Sequence, residues 1–218
     1  MDRRTLSLTL LLSLLAAPAL AQTVEAEAAP VAAPVAAMVA PQAREHVVLT
    51  TSAGDIVIAL DPAAPVTSAN FLRYVDDKRF DGTDFYRGMV IAPGMGLIQG
   101  GANNAPNRIL PPIPDEPTSQ TGLRHTDGAV SMARYEPGSA TGDFFIILGD
   151  VPSLDASASD PGFAVFGHVI DGMDVVRQIL AAPKSATEGE GFMRGQMLDP
   201  RIAILSARRL AVTVADPR

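Results

Sequence analysis

Between residues 46 and 214 the chain runs in short apolar stretches punctuated by Gly and Pro, and the period of the apolar positions changes from stretch to stretch. Val47-Val48-Leu49-Thr50-Thr51 and Asp55-Ile56-Val57-Ile58-Ala59-Leu60 flank Ser52-Ala53-Gly54, the pattern of a β-hairpin. Pro65 then opens a helix in which Phe71, Leu72 and Val75 fall at helical spacing, with Gly82 beyond its end. Apolar runs at 85–91, 96–100, 129–133, 143–148 and 163–170 predict strands. A second helix is expected from Met173 to Ala181, stopped by Pro183, and a last strand from Ile202 to Ala207. Many short strands with only two helices predict a mainly β domain, either a closed barrel or a sandwich.

The N-terminal part is written differently. Arg3 and Arg4 precede an apolar run from Leu6 to Leu15, and Ala19-Leu20-Ala21 offers a small-x-small cleavage site before Gln22. The run is roughly half of the ~20 residues that a spanning helix needs, so residues 1–21 are expected to be a cleaved export signal, with an uncleaved anchor as the alternative. Residues 22–44 are almost all Ala, Val, Pro, Glu and Gln, and Pro30, Pro34 and Pro41 interrupt any helix. They read as a disordered linker ahead of a folded domain at 45–214.

Composition narrows the chemistry. The 218 residues include no Cys, which excludes disulfides and thiol catalysis, and the net charge of -7 argues against nucleic acid as a partner. His46, His125 and His168 lack metal-ligand spacing, so neither a metal nor another cofactor is expected. His125-Thr126-Asp127 beside Ser131 offers hydrolase side chains, but Ser131 has no nucleophile elbow and loop polarity explains the group. Gly189 to Gly195 reads as a flexible loop, and Asp76-Asp77 and Asp115-Glu116 as solvated charge.

Two segments carry more. Phe85-Tyr86-Arg87 is followed, twelve residues after the arginine, by Gln99-Gly100-Gly101, and Ser131-Met132-Ala133-Arg134 runs on to Asp143-Phe144-Phe145-Ile146. Together they resemble the active-site strands of the cyclophilins, peptidyl-prolyl cis/trans isomerases, over residues 46–210. The resemblance implies a closed eight-stranded antiparallel barrel capped by two helices. It implies Arg87 as the catalytic donor and Gln99 as the residue that positions the substrate carbonyl and the arginine. Phe145 would floor the proline pocket, with Leu97 and Leu154 as walls. Phe163 stands where the family often has histidine, and Arg134 where many members have a substrate-binding asparagine.

The chain also departs from the family pattern. Tyr86 replaces a histidine, and the loop between Arg87 and Gln99 is about four residues longer. A pocket phenylalanine is replaced by Gly96, or by Met95 if the loop folds back. Asp143 replaces a glutamine and would either orient the guanidinium or compete with substrate for it. The expected function is isomerisation of X-Pro bonds in unfolded or maturing exported polypeptides, by a monomer in the periplasm without stable membrane insertion. The alternative is a catalytically silent cyclophilin-like peptide-binding module or holdase.

Overall fold

The computed structural model describes residues 44–102 and 105–210, so the expected export signal and nearly all of the expected linker lie outside the described residues. Eight strands form one closed barrel: β1 (His46–Thr51), β2 (Gly54–Leu60), β3 (Thr83–Ala92), β4 (Met95–Gly101), β5 (Ala129–Met132), β6 (Asp143–Leu148), β7 (Ala164–Asp171) and β8 (Met197–Leu210). Their order around the barrel is β1-β2-β7-β5-β6-β4-β3-β8, and β8 returns to β1 through pairs such as Val48 with Arg208. Every neighbouring pair is antiparallel, so the fold is the closed β structure rather than the sandwich. Closure leaves no sheet edge unpaired.

The expected hairpin forms as β1 and β2, and Gly54 in its turn has φ +131, a region that L side chains rarely adopt. Helix α1 (Pro65–Asp76) starts on its proline, and the Glu116 carboxylate accepts the Val66 and Thr67 backbone N–H groups at 3.0 and 2.7 Å. Glu116 is therefore a cap for two otherwise orphan donors rather than idle surface charge. Asp76 likewise receives two Arg209 nitrogens at 2.8 and 2.7 Å. A short helix not anticipated from the pattern, α2 (Thr118–Thr121), follows Pro117 and stops at Gly122; α3 (Met173–Ala181) forms as expected.

Phe71 and Tyr74 of α1 and Val176 and Ile179 of α3 join one interior cluster with Phe80, Phe85, Ile98, Phe144, Ile146 and Phe166. Phe144 stands edge-on to Phe71, Phe80 and Phe85 at centroid distances of 5.4, 5.5 and 5.7 Å. Alternation along β6 sends Phe145 and Ile147 the other way, into a second cluster with Leu97, Ala129, Val151 and Val165. All six residues of β6 are buried because the strand feeds both clusters. The last strand is longer than its apolar core suggested, since Asp199-Pro200-Arg201 and Arg208-Arg209 hide its ends behind polar residues.

Candidate active site

The second cluster floors a cleft of about 420 Å³. Its backbone framework is one transverse row of paired residues. Met197 of β8 pairs with Arg87 of β3, Arg87 with Gln99 of β4, Gln99 with Phe145 of β6, and Phe145 with Ser131 of β5. Neighbouring strands lie about 4.8 Å apart, so the guanidinium-bearing backbone and the phenyl-bearing backbone are separated by about 10 Å, with Gln99 between them.

Arg87 reaches this row through an irregularity. The register of β3 shifts by one residue against β4 between Phe85 and Arg87, a β-bulge with Tyr86 as the extra residue, while against β8 the pairing jumps from Ile202 to Met197 over the same step. Strict alternation would give Arg87 the same face as Phe85, which is wholly in the interior. With the bulge, Tyr86 and Arg87 both line the cleft.

Arg87 is only 8% exposed, and hydrogen bonds fix its side chain on two sides. Its Nη1 donates to Gln99 Oε1 at 2.9 Å and its Nε to Gln196 Oε1 at 2.8 Å. Its Nη2 lies 3.4 Å from the Met89 sulfur, a weak acceptor. All three acceptors are uncharged. Burial lowers the guanidinium pKa from its ordinary value, an effect opposed by Tyr86, yet an arginine starts so far above neutrality that it stays charged.

Gln99 also donates through Nε2 to the Tyr86 oxygen at 2.7 Å, and the Tyr86 hydroxyl donates to Asp143 Oδ2 at 2.7 Å. The four groups form a relay from cation to anion in which every dipole points the same way. Burial, and then the Asp143 charge, push the Tyr86 pKa far up, so the hydroxyl stays a donor. Asp143 acts on the arginine through Tyr86 and Gln99.

Phe145 is the floor of the cleft, with Leu97, Leu154 and Phe163 around it. Phe163 meets Phe145 edge-on at 5.4 Å, and the Arg134 guanidinium lies 5.1 Å from the Phe163 ring. Arg134 donates to the Gly162 carbonyl and to Asp160, so its side chain ties the 155–163 loop to the cleft rather than reaching into it. Of the residues expected at the site, Arg87, Gln99, Leu97, Arg134, Phe145, Leu154 and Phe163 line this one cleft. Met95 does not. It packs on the outer cluster beside Gly149, and Met89, paired with Leu97, lines the cleft instead. At Gly96 a Cβ would stand 2.1 Å from the Met89 carbonyl oxygen, so a phenylalanine has no room there.

Beneath Phe145 lies an arrangement that looks like a hydrolase triad. Asp155 Oδ1 is 2.7 Å from His125 Nδ1, and His125 Nε2 is 3.0 Å from Ser131 Oγ. The partner of His125 is Asp155, not the nearby Asp127, which accepts the Gly149 N–H. A carboxylate only accepts, so Nδ1 carries the proton and Ser131 donates to Nε2. Burial lowers the His125 pKa against the pull of Asp155, keeping the ring neutral. Ser131 is 0% exposed and the Phe145 ring is stacked on the imidazole, so no substrate reaches the serine. The trio braces the pocket floor.

Sequence reasoning passed over Phe192 and Met193, from the segment read as a flexible loop, and Gln196, which directly follows it. Phe192 is 77% exposed and its ring lies 5.5 Å from the Arg87 guanidinium carbon. The only signal for them was an aromatic and two methionines among glycines, which fits many loops.

The chain is similar to known proteins in sequence and in fold. The family model described as cyclophilin type peptidyl-prolyl cis-trans isomerase/CLD matches residues 46–207. The chain is 43% identical over 139 residues to peptidyl-prolyl cis-trans isomerase A of Dickeya dadantii, covering 62% of this chain and 70% of that protein. It is 36% identical over 138 residues to isomerase B of Escherichia coli, covering 61% and 82%. A crystal structure of a cyclophilin-type isomerase from Cryptosporidium parvum superposes with a TM-score of 0.63 at 21% identity, over 78% of this chain and 99% of the other, a likeness of fold.

Tyr86→Phe removes the hydroxyl between Gln99 and Asp143. The expected result is a loss of about 1–3 kcal/mol in stability by denaturant titration, with the transition slope unchanged, because a buried carboxylate and a half-buried amide lose a partner. A loss too small to measure would mean that the relay is not held by this hydroxyl.

Proposed function

The chain belongs to the cyclophilin-type peptidyl-prolyl cis-trans isomerases, and from that premise we propose how its own residues turn the bond and where they do so. Rotation about an amide bond meets a barrier of ~18–20 kcal/mol that comes from resonance. No bond is made or broken, so catalysis consists of favouring the twisted amide over both planar forms. Twisting leaves the proline nitrogen pyramidal, with a usable lone pair. Arg87 donates to that nitrogen. Its Nε and one side of Nη1 are engaged by Gln196 and Gln99, which leaves the Nη2 side, held only by a thioether, to serve the substrate.

The proline ring sits on Phe145, between Leu97, Leu154 and Phe163. Gln99 orients the guanidinium, and the backbone at Arg134 lines the path of the extended chain. The observation that carries this reading is the buried guanidinium with uncharged acceptors, two strands along the row from an apolar floor. A carboxylate in direct contact would have spent its donors.

The finer setting is also our proposal. Residues 1–21 direct export, 22–44 link, and 45–214 act, as a monomer, on X-Pro segments of exported chains in the periplasm. Among the described residues no helix is long and apolar enough to cross a membrane.

Arg87→Ala is expected to reduce catalysed cis/trans exchange of an X-Pro peptide, read by NMR magnetisation exchange, by about a hundredfold to a thousandfold. Undiminished exchange would remove Arg87 from the mechanism. Intact mass of the protein recovered from the cell envelope should give a chain beginning at Gln22; a chain that keeps residues 1–21 would contradict cleavage there.

A further inference from the structure

The row of strands holds Arg87 from one side only; the second hold comes from outside the row. Between α3 and β8 the chain makes a single 3-10 turn at Gly191–Met193 and ends at Gln196. Four bonds define the position of Gln196, the first from its backbone N–H to the Met193 carbonyl at 3.0 Å. Its backbone carbonyl accepts the Gly88 N–H at 2.8 Å, which fastens it beside the arginine. Its Nε2 donates to the Phe192 carbonyl at 2.7 Å. A carbonyl cannot donate, so this bond assigns the amide and leaves Oε1 to face Arg87 Nε, which it meets at 2.8 Å.

We propose that Gln196 is a positioning residue for isomerisation, aimed by the Phe192 carbonyl and acting through the Arg87 guanidinium. The proposal rests on the reading of Arg87 as the donor. Its physical basis is that one hydrogen bond leaves a planar fork free to rotate about that bond, whereas bonds on two different nitrogens fix its plane. Gln99 holds Nη1 and Gln196 holds Nε, on separate elements of the fold. The remaining nitrogen is then aimed without being consumed. An uncharged acceptor suits this task, since it orients the cation without neutralising it. Phe192 adds an aromatic ring 5.5 Å from the same guanidinium, so the segment supplies both the amide and a cover.

Gln196 lies on a partly exposed surface segment, and its substitution leaves the barrel core untouched. The test compares Gln196→Leu, Gln196→Glu, Arg87→Ala and the Arg87→Ala/Gln196→Leu double variant. Readouts are catalysed exchange of a short Ala-Pro peptide at saturation, the peptide Kd, and the Arg87 Nε–H NMR signal. Gln196→Leu should slow exchange about tenfold, with Kd changed by less than about twofold, and should broaden the Nε–H signal through exchange with water. Gln196→Glu keeps an acceptor and should retain the Nε–H signal, while its charge, set directly against the guanidinium, should still slow exchange. Gln196→Leu should cost nothing further once Arg87 is alanine.

Unchanged exchange in Gln196→Leu beside an inactive Arg87→Ala would overturn the role of Gln196 and leave Arg87 as the donor. Loss of the Nε–H signal in Gln196→Glu as well as in Gln196→Leu would overturn it too, assigning the effect to anchoring of the segment. Full exchange in Arg87→Ala would instead overturn the donor reading, and this proposal with it.

Discussion

A guanidinium taken out of water has to be held by hydrogen bonds, and what holds it decides what it can still do. Arg87 is nearly buried and is held by two glutamine oxygens and a thioether. A carboxylate against it would bind more strongly and would also quench the positive charge that a twisted amide needs. The chain has such a carboxylate close by, in Asp143, and separates it from the arginine by Tyr86 and Gln99. The anion thereby polarises the relay and fixes the amide of Gln99 without touching the donor.

The same constraint explains features that otherwise look like local accidents. A charge can sit on the outside of a barrel only if the strand turns it outward, and the one-residue bulge at Tyr86 does so while Phe85 stays in the interior. The pocket beside it cannot be soft, because a floor that moves loses register with the donor. Phe145 is held from below by His125, which Asp155 and Ser131 grip from both sides, and from the side by Phe163 under Arg134. Chemistry that resembles a hydrolase is thus used as a buried strut.

Much of this could be read from the chain before any coordinates. The hairpin at 46–60, the helix opened by Pro65 and the strand Asp143–Leu148 were visible because period and turn residues agree there. The motif residues from Arg87 to Phe145 were visible through family likeness alone. Three things were not. The bulge has no signature in a pattern of period two. Met95 and Met89 are both methionines near the same turn, and only pairing with Leu97 distinguishes them. Gln196 lies 109 residues from Arg87, in a glycine-rich segment without periodicity, so nothing local announces that it meets the arginine. Glu116, read as solvated charge, shows the same limit, since its partners lie 49 and 50 residues away.

The central claim is that a rigid, uncompensated fork, and not merely a positive charge, turns the bond. Arg87→Lys separates the two, because lysine keeps the charge and loses the planar donors. The measurement is catalysed exchange of an X-Pro peptide together with its Kd. The account predicts binding within about threefold of the parent protein and exchange lowered by at least about tenfold. Exchange at the parental rate in Arg87→Lys would contradict it, because charge alone would then suffice.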